Sequence, residues 1–191
     1  AQVPSLAEFV RDALSSELGL TLPWVDGLTF GRIQDNDPVP DPEAGLGTAG
    51  ALEDFLRFLA PPPRTPATDA AAAERGEAVF GLVGCDGCHI PSLEGPDGPV
   101  PLYSDLLLHE VLPEGSRGIE EASAGEREFR TAPLWGLART APYLHSGEAD
   151  TLEEAIAGHD GEAAAARAAF TARDAADRAA LGVTGTLSAW C

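Results

Sequence analysis

The sequence has 191 residues and a hydrophobic content of 44%, which suits a folded chain of one or two domains and excludes a disordered one. Its formal net charge is −19, and all of its basic residues are arginines. A surface this acidic repels phosphate, which argues against a nucleic-acid partner, and no apolar run approaches the roughly 18 residues of a membrane span.

The first predicted element is an amphipathic helix that begins after Ser5 and ends at Gly19. Ser5 and Glu8 have the spacing of a capping box, and apolar residues follow at a near-helical period. Residues 20–47 are rich in proline, glycine and aspartate, a composition that is typical of loops. A second helix is predicted over residues 48–60, where leucine and phenylalanine recur on one face.

A proline-rich run at residues 60–66 ends the second helix and is predicted to form a stiff linker. The sequence therefore predicts two parts, a helical extension or inter-domain segment at residues 1–62 and a separate domain at residues 63–191. An alanine-rich helix opens the second part, with Thr68 or Asp69 as its N-cap.

The remaining elements are predicted to be loops and helices. Residues 91–103 are predicted to form a loop and residues 113–128 an exposed polar segment. Between them, YSDLLLHEVL is compatible with a short helix or a strand, and a turn of helix after Ser104 is favoured. From residue 150 onward three helices are predicted, the first of them capped by Asp150 or Thr151. No segment has a convincing strand pattern, so the predicted fold class is all-α.

Residues 84–90 read Gly-Cys-Asp-Gly-Cys-His-Ile, and the Cys-x-x-Cys-His pattern within them is a c-type haem attachment signature. Two thiols at this spacing can bond to the two vinyl groups on one edge of the porphyrin, and the next side chain can offer an imidazole to the iron. The sequence thus predicts that Cys85 and Cys88 attach one haem c and that His89 is the proximal ligand.

Two other chemistries use a Cys-x-x-Cys pair. A thioredoxin-like redox pair needs a βαβ context, whereas an alanine-rich helix precedes this motif. A zinc site would need further ligands, such as His109, His145 or His159, because Cys191 is the one remaining cysteine. Neither pattern is evident, which favours haem.

The composition limits which side chains can fill the second axial position of the haem iron. Methionine is absent, which excludes a His/Met ligand pair within this chain. The position either stays open or is filled by one of the following side chains: His109, His145, His159, Tyr103, Tyr143 and Cys191.

Several ordered stretches resemble the C-terminal haem domain of the bacterial di-haem cytochrome c peroxidase superfamily, in particular its di-haem oxidoreductase or thiol oxidoreductase branch. The longest is FRTAPLWGLARTAPYLHSGEADTLEEAIAGHDGEA at residues 129–163, and the others lie at residues 52–64, 84–93 and 103–113. The resemblance covers residues 52–178. It implies an all-α, cytochrome c-like haem domain, here with an N-terminal helical extension.

The resemblance also implies site residues. In this branch the distal ligand is a histidine just after the helix that begins Thr-Leu-Glu-Glu-Ala-Ile, and the matching residue is His159. His145 matches the histidine of the family's Pro-Tyr-x-His-x-Gly loop close to the haem. Backbone oxygens at the positions of Thr140 and Pro142 bind calcium in the family, where the third protein ligand comes from the other haem domain.

Three further side chains are candidates for contacts with the haem, and each also has an ordinary structural explanation. Arg130 and Arg139 are candidates to pair with haem propionates, since a guanidinium matches a carboxylate, and are equally explained as surface charges. Trp135 is suited to packing against the ring or to filling the core.

The chain departs from the family in two respects. Its final segment reads GVTGTLSAWC, where the family usually ends in a helix rich in leucine and phenylalanine. Family members carry two Cys-x-x-Cys-His motifs, whereas this sequence has one, and residues 1–60 contain neither cysteine nor histidine. The missing motif belongs to the domain with the peroxide-reactive haem, so the catalytic haem is expected outside this chain.

The predicted function is a bis-His c-type haem electron-transfer domain, the C-terminal haem half of a di-haem peroxidase-like oxidoreductase. Its expected partner is a second haem-bearing polypeptide or another redox protein. The alternatives are a free-standing monohaem carrier and a haem peroxidase whose distal histidine is displaced on activation. Covalent haem is generally attached outside the cytoplasm, which predicts a periplasmic or extracellular location.

Overall fold

A computed structural model describes residues 3–60, 69–96, 98–121 and 124–182. The chain divides into two compact units, Ala1–Ala60 and Pro61–Cys191. The predicted linker lies mainly outside the described residues, as do Thr68 and Cys191. Within the described ranges, none of the helices combines the length and the apolar character that crossing a bilayer requires.

Unit 1 contains two helices, α1 (Leu6–Ser16) and α2 (Leu46–Arg57). They contact each other around a small core of four buried residues: Val10, Leu14, Leu22 and Ala44. The predicted apolar face of α2 is mostly exposed, and its residues Leu52 and Phe55 are 39% and 61% exposed. Helical periodicity therefore predicts this helix but not its burial.

The N-terminus of α1 confirms the predicted cap and shows a different role for the expected capping glutamate. The Ser5 hydroxyl accepts a hydrogen bond from the Glu8 amide at 3.2 Å. The Glu8 carboxylate is itself buried and accepts the amide N–H groups of Thr29, at 2.7 Å, and Phe30, at 2.9 Å. This side chain therefore ties the loop to α1, because a buried carboxylate must find hydrogen-bond donors.

Unit 2 is built on α3 (Ala70–Leu82), which packs against α6 (Ala175–Gly182), with α4 (Leu152–Ala157) and α5 (Ala164–Thr171) beside them. Asp69 caps α3 by accepting the Ala72 amide at 3.0 Å. The core of the unit consists of one cluster of buried side chains: Val79, Phe80, Val83, Tyr103, Phe170 and Leu181.

The all-α prediction is wrong, because the described residues also form two small antiparallel sheets. Strand β1 (Leu93–Gly95) pairs with β2 (Gly98–Val100) inside the segment predicted as loop. Strand β3 (Leu108–Glu110) pairs with β4 (Glu128–Arg130) and replaces the helical turn predicted there. Strands of three residues are too short to show alternation, and distant residues supply the partner of β3. Unit 2 is thus mixed in secondary structure rather than an all-α, cytochrome c-like domain.

Candidate haem site

The Cys-x-x-Cys-His motif lies directly after α3. Gly84, with φ +85°, adopts the left-handed conformation that ends the helix. A single 3₁₀ turn, Cys85–Gly87, follows, and the His89 amide donates to the Cys85 carbonyl at 3.0 Å. The motif is therefore a compact turn in which the two cysteines and the histidine are held by local backbone hydrogen bonds.

The two thiols lie in different surroundings. Cys85 packs against the core of unit 2, and burial, with smaller contributions from neighbouring charges, raises the pKa of its thiol to about 11. Burial also raises the pKa of the Cys88 thiol, and the charges of Asp105 and Glu162 act in the same direction. Both thiols are therefore neutral near pH 7, in contrast to the low-pKa cysteine of a disulfide oxidoreductase.

His89 is held through one ring nitrogen. Its Nδ1 lies 2.9 Å from the carbonyl oxygen of Tyr103, which can only accept a hydrogen bond, so Nδ1 carries the proton and Nε2 is the unprotonated nitrogen. Burial lowers the pKa of His89, the Tyr103 carbonyl opposes this, and the charge of His159 lowers it further. The imidazole is thus presented in the neutral form that binds metals.

Tyr103 supplies that carbonyl from an unusual backbone conformation. Its side chain is buried in the core and packs edge-on against Phe80, with ring centroids 5.8 Å apart. Its φ is +54°, a left-handed value that is costly for a bulky residue. Core packing of the tyrosine therefore sustains the backbone orientation that aims the carbonyl at His89.

His159 is also held by a backbone carbonyl through one ring nitrogen. It follows α4, which begins with a complete capping box between Thr151 and Glu154, as the sequence predicts for Thr151. The Nδ1 of His159 lies 2.7 Å from the Ala155 carbonyl, so Nδ1 is the donor and Nε2 is the ring nitrogen that can bind a metal. Gly158 permits close packing here, since a Cβ at this position would meet Leu144.

His109 has both ring nitrogens occupied. Its Nε2 lies 2.8 Å from a carboxylate oxygen of Asp105, and its Nδ1 lies 2.9 Å from one of Glu162. The hydrogen bond to Glu162, and to a lesser extent the one to Asp105, raises the pKa of His109. Since a protonated imidazole offers no lone pair, this histidine is not available to iron in the observed arrangement.

The other predicted residues lie closer to the surface. His145 is exposed and stacks on Phe129, with ring centroids 4.5 Å apart. Trp135 donates through Nε1 to the Pro101 carbonyl at 2.9 Å, and the Tyr143 hydroxyl donates to a backbone carbonyl. The remaining candidates are exposed: Arg130, Arg139, Thr140 and Pro142.

Cys88, Asp105 and His109 form a cluster whose ligand atoms lie within 4.8 Å of one another. This is the arrangement closest to a zinc site around the motif among the described residues. Binding a cation there would require His109 to release the Asp105 or Glu162 carboxylate. If the motif bound zinc instead of haem, the zinc would bind at this cluster, and experiments can distinguish the two sites.

Sequence reasoning missed three contributors to this region. The sequence suggests the side chain of Tyr103 as an iron ligand, whereas in the structure its backbone carbonyl contacts His89. Asp105 and Glu162 were not considered. The spacing of Asp105 and His109, four residues apart, was the available signal for that pair, but nothing in the sequence connects either residue to Glu162, 53 residues beyond His109.

The residues present fit a haem. His89 presents an unprotonated Nε2 beside two neutral thiols, which is the donor set that covalent attachment and axial ligation require. The Asp105 amide donates a hydrogen bond to the Cys88 carbonyl. The next two residues, Leu106 and Leu107, have apolar side chains that are 45% and 60% exposed. An apolar macrocycle would remove such surface from water.

Comparison with known proteins gives concordant matches. A family described as "Di-haem oxidoreductase, putative peroxidase" matches residues 30–184. The chain is 34% identical over 93 residues to "Cytochrome c551 peroxidase" of Pseudomonas aeruginosa, which covers 46% of this chain and 26% of that protein. It is 32% identical over 112 residues to "Cytochrome-c peroxidase IdrP2" of Pseudomonas sp. (strain SCT), covering 44% of this chain and 30% of that protein.

A third match, 29% identical over 160 residues, is to "Spectinabilin polyketide synthase system protein NorB" of Streptomyces orinoci, and covers 72% of this chain but 7% of that protein. No solved structure matches significantly. The alignments with the two peroxidases span about a quarter to a third of their length. The family match covers most of the chain, which therefore belongs to the di-haem oxidoreductases of the di-haem cytochrome c peroxidase superfamily.

Proposed function

We propose that this chain is a c-type haem electron-transfer domain with two histidine ligands to one haem. Cys85 and Cys88 would form the thioether bonds, and His89 and His159 would bind the iron through their Nε2 atoms. Haem c bound in this way would supply a one-electron couple. The domain would serve as the C-terminal haem half of a di-haem peroxidase-like oxidoreductase.

One observation carries the proposal. His89 and His159 each contact a backbone carbonyl through Nδ1, so both present Nε2 in the same tautomer. A hydrogen bond at the other ring nitrogen is the usual companion of a histidine that binds a metal.

The other histidines support the choice of His159. His109 is engaged by carboxylates at both nitrogens, and His145 is stacked on Phe129 at the surface. With both axial positions filled by histidine, this site would pass electrons without binding peroxide.

The proposed partner is a second haem-bearing polypeptide or domain. The two peroxidases that the chain resembles are three to four times longer than the stretches that match, and the present sequence has one haem motif. The charge of −19 would favour a partner with a basic docking face. A periplasmic or extracellular location and calcium at Thr140 and Pro142 belong to the same proposal, the calcium only when the other haem domain is present.

The ligand assignment is tested by His159→Ala, with His145→Ala as the matched control. The purified haem-loaded proteins are compared by visible absorption and electron paramagnetic resonance in the ferric state. We expect His159→Ala to convert the spectrum from low-spin to high-spin while His145→Ala leaves it unchanged. An unaltered low-spin spectrum in His159→Ala would show that another group binds the iron.

The division of labour is tested on the isolated wild-type chain. We expect no enzyme-like oxidation of an electron donor by hydrogen peroxide, and we expect addition of the missing haem half to establish it. A fully active isolated chain would instead support the peroxidase alternative with a displaced distal histidine. A monomer that co-purifies with no redox protein would favour the free-standing carrier.

A further inference from the structure

Residues 103–109, the bridge segment, contact the haem motif at one end. The Tyr103 carbonyl lies 2.9 Å from the Nδ1 of His89. Two residues later, the Asp105 amide donates to the Cys88 carbonyl at 2.9 Å. The first part of the bridge segment therefore fixes the proximal side of the proposed haem site by two backbone contacts.

The other end of the bridge segment contacts the chain that follows His159. His109 lies between Asp105, inside the segment, and Glu162. The second carboxylate oxygen of Glu162 accepts the Glu110 amide at 2.8 Å. Glu162 thus holds β3 by a side chain and a main-chain group at once.

Main-chain contacts reinforce this junction. The amide of Asp160, the residue after His159, donates to the Val111 carbonyl at 2.8 Å. Gly161 has φ +52° and approaches Glu110 so closely that a Cβ would clash with the Glu110 carbonyl. The three residues after His159 are therefore docked along β3, and only a glycine fits in the middle of them.

Within the part of the chain that the structure describes, the His109 side chain joins the two ends, through Asp105 and Glu162. It is 17% exposed and Asp105 is 7% exposed, so this half of the junction is largely sheltered from water. Hydrogen bonds between ionised groups in such surroundings are stronger than neutral ones. Both ring nitrogens of His109 are hydrogen-bonded to carboxylates. In this arrangement His109 can hold two segments together but cannot bind iron.

We propose that His109 is a positioning residue that, through Asp105 and Glu162, holds the His159 segment against the segment supporting His89, and so keeps His159 on the iron. This inference rests on the proposed function, since it assumes that His159 is the distal ligand. It predicts that breaking the junction weakens distal ligation while attachment and proximal ligation remain.

The test measures how fast cyanide binds to the ferric, haem-loaded protein, because cyanide can bind only when an axial ligand leaves. The variants are Glu162→Gln, which keeps the shape of the side chain but removes its charge and leaves one acceptor oxygen for the two donors His109 and Glu110, and His109→Ala. The matched control is Glu153→Gln, since Glu153 also forms an ion pair, with Arg178 at 3.1 Å, and is similarly exposed. His159→Ala serves as the open-site reference.

We expect Glu162→Gln and His109→Ala to bind cyanide about tenfold or more faster than wild type, as the loss of one or two charge-assisted hydrogen bonds allows. Glu153→Gln should match wild type, and Glu162→Gln should lower the denaturation midpoint only modestly, because the Glu162 side chain is 56% exposed. The double variant should be no faster than His109→Ala alone, because both changes break one junction.

Two failures are distinguishable. If wild type binds cyanide as fast as His159→Ala, the ligand assignment fails and the positioning role falls with it. If wild type is slow, His159→Ala is fast and both junction variants remain as slow as Glu153→Gln, the ligand assignment stands and the positioning role of His109 is overturned. Should His109→Ala not mature, Glu162→Gln alone decides the outcome.

Discussion

His89 and His159 are both oriented by backbone carbonyls, whose oxygens lie 2.9 Å and 2.7 Å from the respective Nδ1 atoms. No side-chain substitution can remove either acceptor directly. The orientation of each ring therefore depends on what fixes the local backbone, which is core packing for His89 and the α4 helix with its docked extension for His159. The following predictions address those supports.

Core packing around Phe80 should contribute more to stability than the exposed Phe58, which directly follows α2. Phe80 is 4% exposed and contacts the rings of both Tyr103 and His89. We expect Phe80→Ala to lower the free energy of unfolding by about 3–5 kcal/mol. Phe58→Ala, at a residue 82% exposed, should change it little. Equal losses in denaturant unfolding would contradict the assigned core.

The close approach of Gly161 to β3 predicts a severe effect of a single methyl group. Gly161→Ala adds a clash with Glu110 to the cost of a left-handed backbone. Gly115→Ala is the control, because Gly115 has φ +85° and open space around it, and should cost about 1–2 kcal/mol. We expect a larger loss in Gly161→Ala, together with a shift of the iron toward high spin. Indistinguishable unfolding curves would argue against the docked geometry.

The stability of the haem-loaded protein should depend on pH through His109. Its pKa is raised above the ordinary value of 6.5 by Glu162 and Asp105, so its contribution is fully present below about pH 6.5 and is lost as the pH rises through the raised pKa. The difference in unfolding free energy between wild type and His109→Gln should therefore shrink with rising pH. Denaturant titrations between about pH 5.5 and pH 9 measure it. A constant or growing difference would refute the assignment.

The attachment chemistry predicts a pattern of masses. Cys85→Ser and Cys88→Ser should each retain one thioether, so denaturing mass spectrometry should still show polypeptide plus one haem. The double variant should release its haem on denaturation, whereas Cys191→Ser should behave as wild type. A bare polypeptide mass for wild type, with zinc retained in native conditions, would favour the cluster of Cys88, Asp105 and His109 instead.

The sequence predicts local features of this chain well. Ser5 and Thr151 cap their helices as expected, because an N-cap depends on residues within one turn. Strand β3 was missed because three residues carry no readable period and the partner strand lies far along the chain. The carboxylates around His109 were missed for the same reason, since Glu162 reaches it through tertiary folding. The haem motif was read from local spacing, whereas the supports of its ligands come from distant residues.

The two contacts of the bridge segment limit where residues can be inserted into or deleted from the chain. Tyr103 must place its carbonyl at His89 while His109 reaches Glu162, and β3 pairing fixes the register of the second contact. Adding or deleting one residue at 104–108 would move one contact out of reach and turn successive side chains of β3 to the opposite face. This stretch should therefore reject insertions that residues 113–120, a mostly exposed segment between β3 and β4, accept.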